Sequence, residues 1–235
     1  MSVIYLVRHG QGSFGSANYD KLSTLGCEQA RLTGAHFAEL GEKIDHIYSG
    51  NLERQRETAE LLAEALSSDP ARRPPITIEP AFAEYDGDAI LKQYAGSLTA
   101  AELAHVGWPT LMTDRRKFQL FLERAARAWV DAQIEAEALL PWRGFHSRIT
   151  EALAGIMQRE GRGKNLIIST SGGVIGTIVA HVLGGPNQLG IELNWAIHNA
   201  SITRLIYSDS KVSLSMFNAL PHLERPERRE LITYR

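Results

Sequence analysis

The feature that most constrains the fold is a short apolar run near the start of the chain that stops abruptly at a cationic pair. Residues 2–7 read SVIYLV, and Arg8-His9-Gly10 follows directly. A short, β-branched run without polar alternation is typical of a buried strand in a parallel sheet. In an open α/β sheet, ligands bind beyond the carboxyl ends of such strands. The pattern therefore places Arg8 and His9 where a ligand would bind.

Strand-like and helix-like segments alternate along the chain, which predicts an α/β sheet with right-handed crossovers. The predicted strands are residues 2–7, 44–48, 76–78 and 165–170, followed by a closing hairpin of 200–207 and 212–217. The predicted helices are residues 24–40, 52–66 and 174–183. We therefore predict a three-layer α/β fold, in which a mixed, mostly parallel sheet carries helices on both faces.

Residues 88–142 differ from the rest, because helical spacing dominates there and no strand pattern is evident. We predict a single domain over residues 1–235, with this segment as a helical insertion that forms a lid over the carboxyl edge of the sheet. The charged tail from Glu224 is expected to be loosely held.

Composition narrows the possible partners. The 235 residues include 25 Lys and Arg against 27 Asp and Glu, so no overall basic field draws the chain to nucleic acid or an anionic membrane. No apolar run approaches the roughly 18 residues of a spanning helix. The one cysteine, Cys27, cannot form an internal disulfide or a multi-cysteine metal site. We expect a cytoplasmic protein with no nucleic-acid or membrane partner, and the hairpin edge would suit a homodimer.

A second cation, Arg54, is predicted at the same sheet edge. The second strand leads into the turn Ser49-Gly50-Asn51 and then into a helix whose first turn holds Arg54. A helix N-terminus favours an anion, and a guanidinium fits phosphate oxygens. Arg56 lies about 200° round the helix from Arg54 and is expected to face solvent.

These motifs together resemble the histidine phosphatase superfamily, also called phosphoglycerate mutase-like. The resemblance covers residues 1–84 and 146–222. It rests on the strand ending in RHG and on the runs LSTLGCEQA (22–30), YSGNLERQRETA (48–59), GGVI (172–175) and NASITRL (199–205). It implies His9 as a nucleophile that becomes phosphohistidine, with Arg8 and Arg54 clamping the phosphoryl oxygens. Gly10 would let the backbone approach the phosphate closely.

The resemblance also implies a carboxylic acid, after the third strand, that protonates the leaving oxygen. Glu84, within FAEY, stands at the expected position. Asp86 and Asp88 stay open as rivals, although Asp-Gly-Asp is typical of a turn.

One position departs from the family pattern. The family usually places a second histidine immediately before two glycines, whereas this chain has Ser171 before Gly172-Gly173. A hydroxyl can donate one hydrogen bond to a phosphate oxygen but cannot become cationic. We expect Ser171 and Gly172 to contribute to phosphate binding, and activity to be weaker than in the family without being abolished.

The leading expectation is a phosphatase that acts on a small phosphorylated substrate through phosphohistidine and needs neither metal nor cofactor. A phosphomutase and a weakly active or non-catalytic phosphate binder stay open as alternatives. A less specific match is STSGG (169–173), which partly resembles the nucleophile elbow of α/β-hydrolases, with Asp209 and His222 in triad order. That alternative leaves His9 and its arginines unexplained. His198 and His222 are further candidates for substrate contact.

Overall fold

A six-stranded sheet lies at the centre of the larger of two compact units in the computed structural model of the protein, which describes residues 2–13, 20–106, 114–135 and 139–234. The larger unit comprises Met1–Glu84 and Ile149–Arg235, and the second unit comprises Tyr85–Arg148.

The strands of the sheet are β1 (Ser2–Arg8), β2 (His46–Ser49), β3 (Ile76–Ile78), β4 (Asn165–Thr170), β5 (Ile202–Tyr207) and β6 (Val212–Ala219). Their order across the sheet is β3-β2-β4-β1-β5-β6. The pairs β3–β2, β2–β4 and β4–β1 are parallel, whereas β1–β5 and β5–β6 are antiparallel. The predicted mixed, mostly parallel sheet with a closing hairpin is confirmed.

One face of the sheet packs against α1 (Thr24–Glu39) and α2 (Glu53–Leu66). Tyr5 and Val7 of β1 share a buried cluster with Phe37 of α1 and Leu62 of α2. Ser23 caps α1 by accepting from the backbone N–H of Gly26, which starts the helix where the sequence predicts it.

The opposite face belongs to the residues that alternate with this cluster along β1, because successive side chains of a strand point to opposite faces. Ile4 and Leu6 are fully buried there. Helix α7 (Gly172–Leu183) follows β4 directly and lies against β1 and β6, and α8 (Asn187–Ala196) packs on α7. The predicted α/β fold with helices on both faces is confirmed, although no pattern used in the prediction signalled α8.

The second unit is helical in its described part. It contains α3 (Gly87–Ser97), α4 (Ala100–His105), α5 (Arg115–Val130) and the first turns of α6 (Trp142–Glu160), which continues into the larger unit. Its core is aromatic, with Trp129 packed against Trp142 and Phe145 at ring-centroid distances of 5.2 and 5.5 Å. The predicted insertion over 88–142 falls within this unit. Residues 107–113 and 136–138 of it lie outside the described residues, and its function as a lid stays a prediction.

The carboxyl-terminal tail is held in place, so the expectation of a loose tail is wrong. A 3-10 helix over Pro226–Leu231 is followed by residues that bond into the larger unit. The Gln29 amide donates to the Leu231 carbonyl over 2.6 Å and to the Thr233 hydroxyl over 3.0 Å. The Asn199 backbone N–H donates to the Thr233 carbonyl over 2.9 Å. Polar partners buried on α1 and before β5 therefore fix a segment whose charge suggested mobility.

Within the described ranges, none of the helices combines the length and the apolar character needed to cross a lipid bilayer.

Candidate active site

The predicted site residues converge where three parallel strands end. β1 leads into His9, β4 leads into Ser171, and β2 leads into the helix that carries Arg54. The ladder between β1 and β4 pairs Arg8 with Thr170, and the His9 backbone N–H donates to the Thr170 carbonyl over 2.8 Å. Register alone therefore brings the ends of β1 and β4 side by side at the carboxyl edge of the sheet.

His9 has both ring nitrogens engaged. Nδ1 lies 2.7 Å from the carbonyl oxygen of Gly10, which can only accept, so Nδ1 carries the proton. Nε2 is then the lone-pair nitrogen, and it accepts a hydrogen bond from Nε of Arg54 over 3.1 Å. The residue as a whole is only 7% exposed. The backbone thus selects the tautomer in which Nε2 can act as a nucleophile.

The surroundings of His9 oppose its protonation. Burial lowers its pKa well below the usual 6.5, and the charges of Arg54 and then Arg8 lower that pKa further. The hydrogen bond to the Gly10 carbonyl opposes this shift without cancelling it. The ring is therefore neutral at physiological pH, as attack through Nε2 requires.

Arg8 is nearly buried and is held by backbone oxygens. Its Nη1 donates to the carbonyl of Ile197, and also to the carbonyl of Tyr234 over 2.8 Å. Ile197 lies between α8 and β5, whereas Tyr234 belongs to the tail. Two segments far from β1 in sequence therefore fix the guanidinium beside His9.

Arg54 lies in the first turn of α2, and a carboxylate that our sequence analysis overlooked orients it. Oδ1 of Asp20 accepts from Nη1 of Arg54 over 2.5 Å, and Oδ2 accepts from the Glu53 backbone N–H over 2.8 Å. Asp20 thereby binds the start of α2 and the guanidinium together. Arg56, by contrast, is exposed, as predicted.

Ser171 is the N-terminal cap residue of α7 and is 1% exposed. Its hydroxyl accepts a hydrogen bond from Nε2 of Gln55 over 2.8 Å. Gln55 was also overlooked, although a signal for it existed. With Thr58, Ala59 and Leu62 it recurs at helical spacing on the buried face of α2, where a polar residue calls for a partner.

Glu84 reaches the same end of α7. Its Oε2 accepts from the backbone N–H of Gly173 over 2.9 Å. Gly173 lies two residues after Ser171, so the carboxyl group is held in the first turn of α7. The rivals have other positions. Asp86 caps α3 by accepting from Ala89 N–H over 2.9 Å, and Asp88 lies in the first turn of that helix. These two aspartates therefore belong to the start of helix α3, and the predicted turn is wrong at this point.

The two glycines of the predicted site both lie close to neighbouring atoms. A Cβ on Gly10 would lie 2.3 Å from the Gly26 carbonyl oxygen, and a Cβ on Gly172 would lie 2.3 Å from Oδ1 of Asn194. The Gly10 N–H donates to the Thr58 hydroxyl over 3.1 Å. Packing against fixed backbone accounts for Gly10, whereas the atom nearest to Gly172 belongs to a side chain. Phosphate binding by either glycine stays a prediction.

The hydrolase-like triad does not assemble. Oδ2 of Asp209 pairs with Arg162 at 2.6 Å on the exposed surface, and Nε2 of His222 lies 3.2 Å from the Thr33 hydroxyl in the core. Ser171 is bonded to Gln55 instead. The geometry therefore provides no base for a serine nucleophile among these residues.

Of the two other histidines expected near substrate, His222 is 1% exposed and faces α1. His198 lies against the ring of Tyr234, with centroids 4.1 Å apart, and its backbone N–H donates to Oδ1 of Asn218 over 2.9 Å. His222 is therefore a core residue, and substrate contact by His198 stays a prediction.

Fold and site together define an α/β protein with a buried neutral histidine at the carboxyl edge of its sheet. The ring is hydrogen-bonded to one guanidinium, and the charge of a second also lowers its pKa. The chain belongs to the histidine phosphatase superfamily (branch 1), whose family model matches residues 4–220.

Similar proteins agree with this assignment. The chain is 26% identical to a probable phosphoglycerate mutase, GpmB, of Enterobacter sp. (strain 638), over 98% of this chain and 99% of that protein. Among solved structures, Bacillus stearothermophilus YhfR superposes with a TM-score of 0.67 at 18% identity, over 95% of this chain and 100% of that one. A phosphoserine phosphatase from Entamoeba histolytica superposes with a TM-score of 0.63 at 17% identity, over the same shares. These structures share the fold.

Proposed function

We propose that the protein is a cytoplasmic phosphatase that hydrolyses a small phosphomonoester through a phosphohistidine at Nε2 of His9. One observation carries the proposal. Nδ1 is bonded to the Gly10 carbonyl while Nε2 faces Arg54, so the ring is neutral, oriented and next to a fixed positive charge. Phosphoryl transfer depends chiefly on such positioning and charge stabilisation.

In the first step, the phosphoryl group enters between His9 and the arginines. The N–H of Arg54 exchanges its hydrogen bond to Nε2 of His9 for one to a phosphoryl oxygen. This frees the lone pair of Nε2 to attack phosphorus. As the Nε2–P bond forms and the P–O bond to the leaving group breaks, the ring becomes positive. The Gly10 carbonyl that accepts from Nδ1 stabilises this charge.

Glu84 has the position for the proton transfers. In its acid form it donates a proton to the leaving oxygen, and the alcohol departs neutral. As a carboxylate it then takes a proton from the water that attacks phosphohistidine, which releases inorganic phosphate and restores His9. Its contact with Gly173 N–H supports this proposal, because it fixes the carboxyl group at the end of the strand next to β1.

A phosphomutase is the second candidate, because the GpmB relative is named as a probable phosphoglycerate mutase. A mutase returns the phosphoryl group to a second hydroxyl and must keep water from phosphohistidine. We favour hydrolysis because a neutral hydroxyl at Ser171, in place of the family's second histidine, leaves less positive charge to retain a phosphorylated intermediate.

The test is turnover of 4-nitrophenyl phosphate, together with trapping of an acid-labile phosphoenzyme. We compare wild type, His9→Ala and the control His105→Ala, which changes an exposed histidine of α4. We expect turnover and a trapped phosphohistidine in wild type and control, and neither in His9→Ala. Phosphate binding with no turnover and no trapped intermediate in wild type would instead indicate a non-catalytic binder.

The same intermediate distinguishes phosphatase from mutase. Added glycerol or 3-phosphoglycerate offers hydroxyl acceptors to the phosphoenzyme. We expect most of the phosphoryl groups carried by the phosphoenzyme to appear as inorganic phosphate. Quantitative transfer to an acceptor hydroxyl, without phosphate release, would establish the mutase.

A further inference from the structure

The Gln55 side chain is fully buried, and both polar atoms of its amide form hydrogen bonds. Nε2 donates to the Ser171 hydroxyl over 2.8 Å and to the Phe82 carbonyl over 3.1 Å. Oε1 accepts from the Leu52 backbone N–H over 3.2 Å, as a glutamine at the third position of a helix does in a capping box. These partners fix which end of the amide is nitrogen, so the group facing Ser171 is a donor.

The direction of that bond determines what the Ser171 hydroxyl can do. Because Nε2 can only donate, Oγ of Ser171 accepts, and the hydroxyl keeps one proton to donate. Although Ser171 is the cap residue of α7, its hydroxyl makes no capping bond to the helix. A capping bond would use an oxygen lone pair and not the proton, so the hydroxyl proton is available to donate whether or not the helix is capped.

Strand order places Ser171 at the edge of the sheet that carries the candidate site. β4, which ends at Thr170, lies between β2 and β1 in the sheet. His9 follows β1, Arg54 lies in the helix after β2, and the two side chains meet at 3.1 Å. Ser171 therefore lies between the strands whose ends supply the nucleophile and its guanidinium.

The Gln55 amide has a small residue on each of two sides, Gly50 and Ser171. A Cβ on Gly50 would lie 2.0 Å from Oε1 of Gln55, so the absence of a side chain at Gly50 is what admits the glutamine. On the other side stands serine, one of the smallest polar residues. The amide fills the volume next to Ser171 that a larger residue at position 171 would need.

We propose that Gln55 is a positioning residue that makes the Ser171 hydroxyl a dedicated hydrogen-bond donor to the phosphoryl group. This inference rests on the proposed function. By donating to Oγ, Gln55 orients the hydroxyl proton away from itself, towards the anion beside His9. The pair supplies a neutral, directed donor where the family usually has a histidine.

The first test is a mutant cycle with neutral changes. Gln55→Met removes the amide at similar length, and Ser171→Ala removes the hydroxyl. Since a neutral hydrogen bond contributes about a factor of ten, we expect each variant to lower kcat/KM about tenfold, and the double variant to be about tenfold slower instead of about a hundredfold. Independent, multiplying losses would overturn the proposal.

The second test uses protonation, which a purely structural role would not follow. In Gln55→Glu, the carboxylate present at high pH accepts the Ser171 proton, whereas the carboxylic acid present at low pH can donate to Oγ as the amide does. Burial raises the pKa of the introduced carboxyl group above its usual value of about 4.3. We therefore expect the ratio of wild-type to variant kcat/KM to be about ten or more at pH 9 and to fall towards one as the pH is lowered to 5 and below. A ratio that does not change with pH would contradict the proposal. Gln158→Glu, which makes the same change at an exposed position of α6, serves as the control.

Affinity for orthovanadate separates this inference from the proposed function. Wild type that binds orthovanadate without turning over substrate would overturn hydrolysis, and the same cycle would then be measured on affinity. Coupled losses of affinity in the cycle would support the Gln55–Ser171 pair, and additive losses would overturn it. A wild type that neither binds orthovanadate nor turns over substrate would overturn both.

Discussion

Nε of Arg54 donates to Nε2 of His9 over 3.1 Å, so the nitrogen proposed to attack phosphorus is the one that a guanidinium occupies. This contact suppresses protonation of the ring and keeps a cation where phosphoryl oxygens would arrive. The protonation state of His9 therefore depends on the charge of Arg54, and a change at Arg54 tests this dependence.

Arg54→Gln should make His9 easier to protonate. Burial lowers the His9 pKa most. Two positive charges lower this pKa further, and the charge of Arg54 has a larger effect than that of Arg8. Because the folded pKa lies below the usual 6.5, the wild-type ring stays neutral as the pH falls through that value, and kcat/KM should not decline there on its account. In Arg54→Gln the His9 pKa rises, so the acid limb of the kcat/KM profile should move to higher pH.

The neighbouring Arg56→Gln is the matched control, since Arg56 is exposed on the same helix. NMR titration of the His9 ring would report the pKa directly. An unchanged His9 titration in Arg54→Gln would rule out this electrostatic role.

Glu84→Gln should discriminate between leaving groups. An alkyl or phenyl phosphate needs a proton on the departing oxygen, whereas 4-nitrophenolate leaves without one. We expect kcat/KM for phenyl phosphate to fall about a hundredfold and that for 4-nitrophenyl phosphate to fall much less. Asp86→Asn, which alters a helix cap, should affect both substrates equally. Equal losses on both substrates in Glu84→Gln would remove Glu84 from the role of acid.

Ser171→His should not by itself raise turnover. An imidazole at this position would extend from Cβ past the Oγ position, which already lies 2.8 Å from the Gln55 amide nitrogen. We expect the variant to be less stable and less active than wild type. Gln55→Ala combined with Ser171→His makes room for the ring and should exceed Ser171→His in kcat. A fully active single variant would show that the amide does not limit the space.

His222 should make the protein sensitive to acid. Burial, then His36 and Arg228, lower the pKa of His222 to about 3. Below the unfolded value of 6.5 the unfolded chain binds a proton that the folded chain does not, so stability falls as the pH falls from 6.5 towards 3. Between pH 6.5 and pH 5 this amounts to about 2 kcal/mol in the free energy of unfolding.

Urea unfolding at pH 7 and pH 5 measures this difference. His222→Gln should lose less stability than wild type over that interval, and His105→Gln, at an exposed position, should lose as much as wild type. Identical pH dependence in His222→Gln and wild type would contradict the assignment.

The sequence predicts the parts of the site that follow directly from strands. His9 and Arg54 were found because a strand that ends at a sheet edge, and a helix that begins there, place the next residues by geometry alone. Asp20 and Gln55 escaped because their contacts join residues 34 and 116 positions apart, and no local period encodes such a pairing. Carboxyl groups near Glu84 could be ranked only by turn chemistry until the bond to Gly173 was known.

The tail shows the opposite limit of sequence reasoning. Its charges indicated solvent exposure, yet its backbone carbonyls and the Thr233 hydroxyl are the groups that bond to Gln29, Asn199 and Arg8. A side-chain pattern carries no information on where a carbonyl will be needed.

That limit has a practical consequence for Arg8. Both oxygens that receive its Nη1, at Ile197 and Tyr234, are main-chain atoms present whatever residue stands there. A saturation mutagenesis library changes side chains alone, so it would miss the anchoring role of these two carbonyls, at the buried Ile197 as at the exposed Tyr234. Amide-to-ester replacement weakens a carbonyl as an acceptor without changing the side chain. Such backbone chemistry, applied one residue beyond each carbonyl, is the means by which this support could be exposed.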